Sequence, residues 1–203
     1  MFVQVIQGKT TDKDGIQRQF QRWNDELRPG ATGYVGSTFG VTADGTCIGI
    51  ACFDSAEAAT RNSSRPEQSA WWNETEKYYD GEITFHDSED IDVQLGGANP
   101  SAGFVQIMQG TISDRAKARE LDELMLSAAQ EMRPDMLGGI GAYYGNGEFT
   151  GVSYFTSEAA ARAGESQPMP DELAGAMNEW QSIMKVDAWY DLTDPWIEVQ
   201  KPT

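Results

Sequence analysis

The feature that most restricts the fold is self-similarity at a period of about 102 residues, because Phe2-Val-Gln-Val-Ile-Gln-Gly8 returns as Phe104-Val-Gln-Ile-Met-Gln-Gly110. The likeness continues in order along both halves. Arg28-Pro29 returns as Arg133-Pro134, and Phe53-Asp-Ser55 with its alanine-rich sequel returns as Phe155-Thr-Ser157. Phe85-His86-Asp87 returns as Trp189-Tyr190-Asp191. Matches in one unbroken order mark a duplicated domain, with each copy far longer than the repeats of solenoid proteins. The first copy is read as residues 1–94 and the second as 104–203, joined by the Gly/Pro/Ser-rich linker 95–103.

Each copy has the same grammar. Phe2–Gln7 is a short strand-like run rich in β-branched residues. Thr11 or Asp12 then caps a helix whose apolar residues Ile16, Phe20, Trp23 and Leu27 share one face, and Arg28-Pro29-Gly30 ends it. Gly33–Val41 and Thr46–Phe53 form a hairpin around Thr42-Ala-Asp-Gly45. Ser55 caps a short helix, Ser69–Tyr79 continues as a second, and Glu82–Asp87 is the closing strand. In the second copy, Leu121, Leu124, Ala128 and Met132 line the first helix, and Leu173, Met177, Trp180 and Met184 the last. The order β-α-β-β-α-β predicts an α+β fold of two ferredoxin-like repeats. Helices cover one face of each sheet, so the other must be buried elsewhere, and two copies on one chain can cover each other.

Charge narrows the function classes. Fifteen Lys and Arg against 32 Asp and Glu give a net charge of −17, shared evenly between the halves. Such a surface repels phosphate backbones and anionic membranes, so neither nucleic acid nor membrane is an expected partner. No stretch is long and apolar enough to span a bilayer, and Met1 leads straight into a strand without a secretory signal, so a cytoplasmic location is expected. Cys47 and Cys52 are five apart on one strand and point to opposite faces, which argues against a disulfide between them. The chain has one histidine, too few for a dedicated zinc site.

The helix start Phe53–Arg61, followed by Pro66-Glu-Gln-Ser-Ala-Trp71-Trp72, resembles the dimeric α/β-barrel superfamily. Within it, the chain is most similar to the antibiotic-biosynthesis-monooxygenase-like branch. The resemblance covers nearly all of both halves. It implies two sheets packed face to face as an intramolecular α/β barrel, and a pocket between helices and sheet in each half. Members include cofactor-independent monooxygenases and haem-degrading enzymes. The haem-degrading branch relies on Asn, Trp and His in its pocket, whereas this chain has Gln4 and Gln7 in its first strand and no histidine after Pro66. No cofactor and no metal are therefore expected.

His86 is the candidate general base, since it is the one histidine, with Asp87 beside it but pointing to the opposite face. Its ordinary reading is a strand residue on the surface. The second copy carries Tyr190 at that place, so a working His86 would serve the first half alone. The six tryptophans read chiefly as core. Trp72 is the exception, grouped with Asn73, Tyr34, Asn62 and Arg65 as candidate substrate-binding residues around a pocket mouth. Arg22, Arg61 and Arg65 could meet an anionic ligand but more simply balance surface carboxylates. The glycines at 138–147 lack the spacing of a phosphate-binding loop. Two functions fit. One is a cofactor-independent monooxygenase-like enzyme acting on an aromatic or apolar substrate. The other is a non-catalytic ligand-binding or assembly protein. Under either reading the chain is expected to be a monomer with an intramolecular pseudo-dimer, or a homodimer.

Overall fold

The computed structural model describes residues 1–168 and 170–200, with backbone alone at 127–131. It divides into two units: Met1–Ile91 with Asp194–Thr203, and Asp92–Thr193. In unit 1, strand β1 (Phe2–Lys9) leads to helix α1 (Lys13–Arg22), and Asp12 caps it by accepting from the Gly15 amide at 2.7 Å. A π-helical turn at Trp23–Leu27 and a 3-10 turn at Arg28–Gly30 carry the helix on to its expected stop. The proline and glycine there end helical pairing. The hairpin of β2 (Tyr34–Val41) and β3 (Thr46–Phe53) turns at Gly45, whose φ of +80° is one that L side chains rarely adopt.

Ser55 caps α2 (Ala56–Ser63), accepting from the Ala58 amide at 3.2 Å. Helix α3 (Pro66–Thr75) begins three residues before the expected Ser69, because Pro66 suits the first helical turn. A 3-10 turn then leads to β4 (Asp80–Ser88). Unit 2 follows the same plan with β6 (Phe104–Ile112), α4 (Arg115–Met132), β7 (Met136–Tyr143), β8 (Glu148–Phe155), α5 (Glu158–Glu165), α6 (Asp171–Ile183) and β9 (Met184–Leu192). Two short strands go beyond the β-α-β-β-α-β plan: β5 (Asp90–Gln94) and β10 (Trp196–Val199). The five-stranded sheets run β10-β2-β3-β1-β4 and β5-β7-β8-β6-β9, and their ladders are antiparallel.

The β1–β3 and β2–β3 registers are matched to the residue by β6–β8 and β7–β8. Phe2 faces Phe53 as Phe104 faces Phe155. The irregularity between Tyr34 and Gly36 recurs between Met136 and Gly138. Cys47 and Cys52 are both free thiols; Cys47 packs with Ile16 and Tyr79 beneath the helices, while Cys52 is on the other face of β3, opposite Val3. Two readings of the helices need correction. Leu124 is 54 % exposed, because a three-residue step from buried Leu121 lands about 60° off the buried stripe, and half-buried Met125 takes its place. Met184 opens β9 instead of closing α6. The side chain of Ala128 lies outside the described residues.

Trp196 ties β10 into unit 1: it is 7 % exposed and its ring lies 6.0 Å from that of Phe20. Trp196→Ala is expected to cost unit 1 about 3–5 kcal/mol. A urea melt checks this, with β10 peripheral to the core if the midpoint does not move.

Candidate functional site

The helix-facing side of the unit 1 sheet is set by the β1 register. Gln4 and Ile6 point toward α1 and α3, while Val3 and Val5 point to the other face. Between helices and sheet lies a cavity of about 80 Å³, lined by aromatic side chains from α1, β2, α3 and the segment before β4. One water needs about 10–15 Å³ on this measure, so the space is several waters in size. Among its described lining residues none carries a charge.

Polar groups inside are few and well tied. The Tyr34 hydroxyl lies 2.6 Å from Ser37 Oγ, buried beneath the rings of Trp23 and Phe53 at 4.9 and 5.8 Å. Burial raises the Tyr34 phenol well above the ordinary tyrosine range, partly offset by the bond to Ser37, so it stays protonated at neutral pH. Asn62 Oδ1 accepts from Arg65 Nη1 at 2.9 Å, and Gln68 Oε1 accepts from Trp23 Nε1 at 2.7 Å. With those oxygens engaged, both amides keep their N–H groups for a ligand. Tyr79, at the other end, accepts from the Cys47 thiol at 3.3 Å, and burial raises its phenol too.

Of the residues singled out in the sequence, the cavity brings together Trp72, Tyr34 and Asn62. Arg65 stands behind Asn62, donating also to the Leu27 carbonyl at 3.0 Å and to Glu67 at 3.0 Å, so it positions the amide without facing the cavity. Asn73 is exposed on α3 and does not line the cavity. His86 pairs with Val5 across β1–β4 and is exposed on the face away from the cavity. The general-base role read for it is therefore not served by this cavity. The register puts its neighbour Asp87 opposite Gln4, whose Nε2 donates to Asp87 Oδ1 at 2.8 Å.

That pair was not read from the sequence, although both members belong to the repeated segments. Gln106 Nε2 donates to Asp191 Oδ1 at 3.2 Å in unit 2. There Asp191 also pairs with Arg162, which stands one residue closer to its capping serine than Arg61 does. At the cavity margin Phe85 is 46 % exposed and meets Trp72 edge-on, with centroids 5.3 Å apart. Among the described residues no group of three or more His, Cys, Asp or Glu is placed to hold a metal, and no helix is long and apolar enough to cross a membrane.

No family model and no curated protein matches the chain. Solved structures match it over nearly its whole length. A candidate monooxygenase from Lactobacillus acidophilus NCFM is 10 % identical with a TM-score of 0.67, covering 97 % of this chain and 98 % of its own. Another, from Fusobacterium nucleatum subsp. nucleatum, is 7 % identical with a TM-score of 0.76, covering 98 % and 94 %. An anthrone oxidase-like protein is 11 % identical with a TM-score of 0.61, covering 97 % and 92 %. At such identities the likeness is one of fold: the chain shares a ferredoxin-like α+β fold with these structures over nearly its whole length.

Burial sets an alkaline limit. Tyr34 and Tyr79 are raised, and burial pushes the Cys47 and Cys52 thiols up to about 11 and about 12. All four are neutral in the fold and ionise more readily when unfolded. Their stabilisation is full below the thiols' ordinary pKa of about 8.5 and declines as pH rises toward 12. Absorbance at 295 nm is expected to show Tyr34 and Tyr79 among the tyrosines that ionise only as the fold opens; simple titration of all seven near pH 10 would contradict the burial.

Proposed function

We propose that unit 1 is a small-molecule-binding module for a compact aromatic compound bearing one oxygen function. The observation that carries this reading is the buried Tyr34–Ser37 hydroxyl pair inside an uncharged cavity walled mainly by aromatic rings. Few polar groups converging within an apolar enclosure are the usual makings of a ligand site. A phenolic or carbonyl oxygen at that pair meets a protonated Tyr34, with the amide donors of Asn62 and Gln68 nearby. At about 80 Å³ the space is smaller than the roughly 150 Å³ that holds benzene in an engineered apolar cavity. Half-buried Trp72, at the margin, must yield to admit even one ring. A tricyclic compound does not fit without a far larger opening.

An oxygenase reading draws support from the fold shared with the candidate monooxygenases. Cofactor-independent oxygenation needs a base to ionise the substrate and donors to hold the resulting oxyanion. Tyr34, Ser37 and Asn62 supply donors. Tyr34 is too firmly protonated to act as the base. In this reading the base is the exposed Asp87, which orients Gln4 and takes the proton through a water at the cavity margin, since an amide N–H cannot relay it. Asp87→Asn should then abolish turnover of a phenolic substrate while His86→Ala leaves it unchanged, and the opposite result returns the role to His86.

Binding is tested with phenol and toluene, which differ by hydroxyl against methyl, followed by tryptophan fluorescence and calorimetry. The wild-type chain is expected to prefer phenol. The double variant Tyr34→Phe, Ser37→Ala should reduce that preference about tenfold, as for loss of roughly 1.4 kcal/mol of hydrogen bonding. An unchanged preference, or no binding of either, overturns the reading.

A further inference from the structure

Unit 2 holds a second cavity of about 270 Å³, at a place that matches the Tyr34–Asn62 end of the unit 1 cavity. The equivalence rests on register and helix position. Met136 faces Phe155 as Tyr34 faces Phe53, and Gly164 is the seventh residue of its serine-capped helix as Asn62 is of its own. Two of the oxygen-binding side chains of unit 1, Tyr34 and Asn62, are thus missing from the duplicate. Their places are taken by a thioether and by no side chain at all.

The rest of the lining has changed in the same sense. Met125, Met132 and Met177 join Met136 around the space, with Leu173, while the exposed Gln167 amide stands at its edge. Arg133 lies at its edge, but its guanidinium is engaged: Nε and Nη2 donate to Asp135 at 3.0 and 2.9 Å, and Nη2 to the Ala161 carbonyl at 3.3 Å. It also lies over the Phe155 ring, 5.2 Å from the centroid. Glu165 accepts from Arg162 at 3.1 and 3.3 Å. Gly164 cannot regain an asparagine without disturbance, since a Cβ there would stand 2.2 Å from Arg133 Nε.

We infer that the unit 2 cavity is a separate binding site selecting an apolar hydrocarbon group without hydrogen-bonding demands, about two fused rings in size. Methionine side chains are unbranched and polarizable, so four of them form a wall that adapts to an apolar guest. An engineered apolar cavity of about 150 Å³ takes benzene. A volume of about 270 Å³ is suited to a larger guest. The duplication has thus produced two sites of opposite preference, an oxygen-seeking one in unit 1 and a hydrocarbon-seeking one in unit 2.

The test uses the full chain with ¹³C-labelled methionine methyls, titrated with naphthalene and with 2-naphthol. Naphthalene is expected to shift the methyls of Met125, Met132, Met136 and Met177 saturably. Met108 and Met184, which pack in a different cluster with Phe149, should not move. Naphthalene should bind at least as tightly as 2-naphthol. Met136→Tyr, which installs the unit 1 side chain, should weaken it tenfold or more. Indole N–H signals of Trp23 and Trp71 report the unit 1 cavity independently, so failure of either site is seen without the other. Absence of saturable shifts in the four methyls overturns the inference whatever the variant does. Shifts spread equally over Met108 and Met184, or a clear preference for 2-naphthol at the four, overturn it too.

Discussion

Strand β1 is hydrogen-bonded along both edges, to β3 and to β4, and nearly everything said of the unit 1 site depends on that double pairing. A strand with two partners has no freedom to slip without breaking two ladders and turning every side chain to the opposite face. Its register holds Gln4 and Ile6 beneath the helices. It also decides, through β4, that Asp87 shares their face and His86 does not. The chemical consequence is large, because a single step along β4 separates a carboxylate tied to the cavity from an imidazole directed away from it.

The same scaffold recurs in unit 2 with the polar pair kept and the cavity remade. Gln106 and Asp191 repeat the Gln4–Asp87 bond, so this contact belongs to the scaffold common to both copies. In unit 2 Arg162 adds a counter-charge to Asp191 and lies 5.3 Å from the centroid of Phe104. The aspartate of unit 2 is thus held in an ion pair beneath a helix, whereas Asp87 is exposed at the rim. One duplicated contact has acquired two electrostatic settings.

Most of the fold was legible in the sequence because its signals are local and occur twice. Caps at Asp12, Ser55 and Ser157, glycine turns at 45 and 147, and helical spacing from Ile16 to Leu27 each act over a few residues. The short strands at Asp90–Gln94 and Trp196–Val199 escaped: the alternation of Asp90-Ile-Asp-Val-Gln94 spans five residues and Trp196–Val199 only four, and their pairing comes from distant partners. The site was legible in part. Tyr34, Asn62 and Trp72 converge, but Asn73 is one helical step from Trp72 and so about 100° away. Ser37, Gln68 and Trp23 became visible only once strand, helix and π-helical turn were set against one another.

The strand β10 has a consequence for how the chain is made. Unit 1 begins at the first residue, yet its sheet lacks an edge until Trp196–Val199 has been synthesised. Residues 92–193 all leave the ribosome before that strand, so unit 2 can complete its own sheet first. During that interval β2 has an open edge, and the space later filled by Trp196 beside Phe20 is empty. The portion made first is therefore finished last, and an interrupted translation leaves an exposed strand for quality control to recognise.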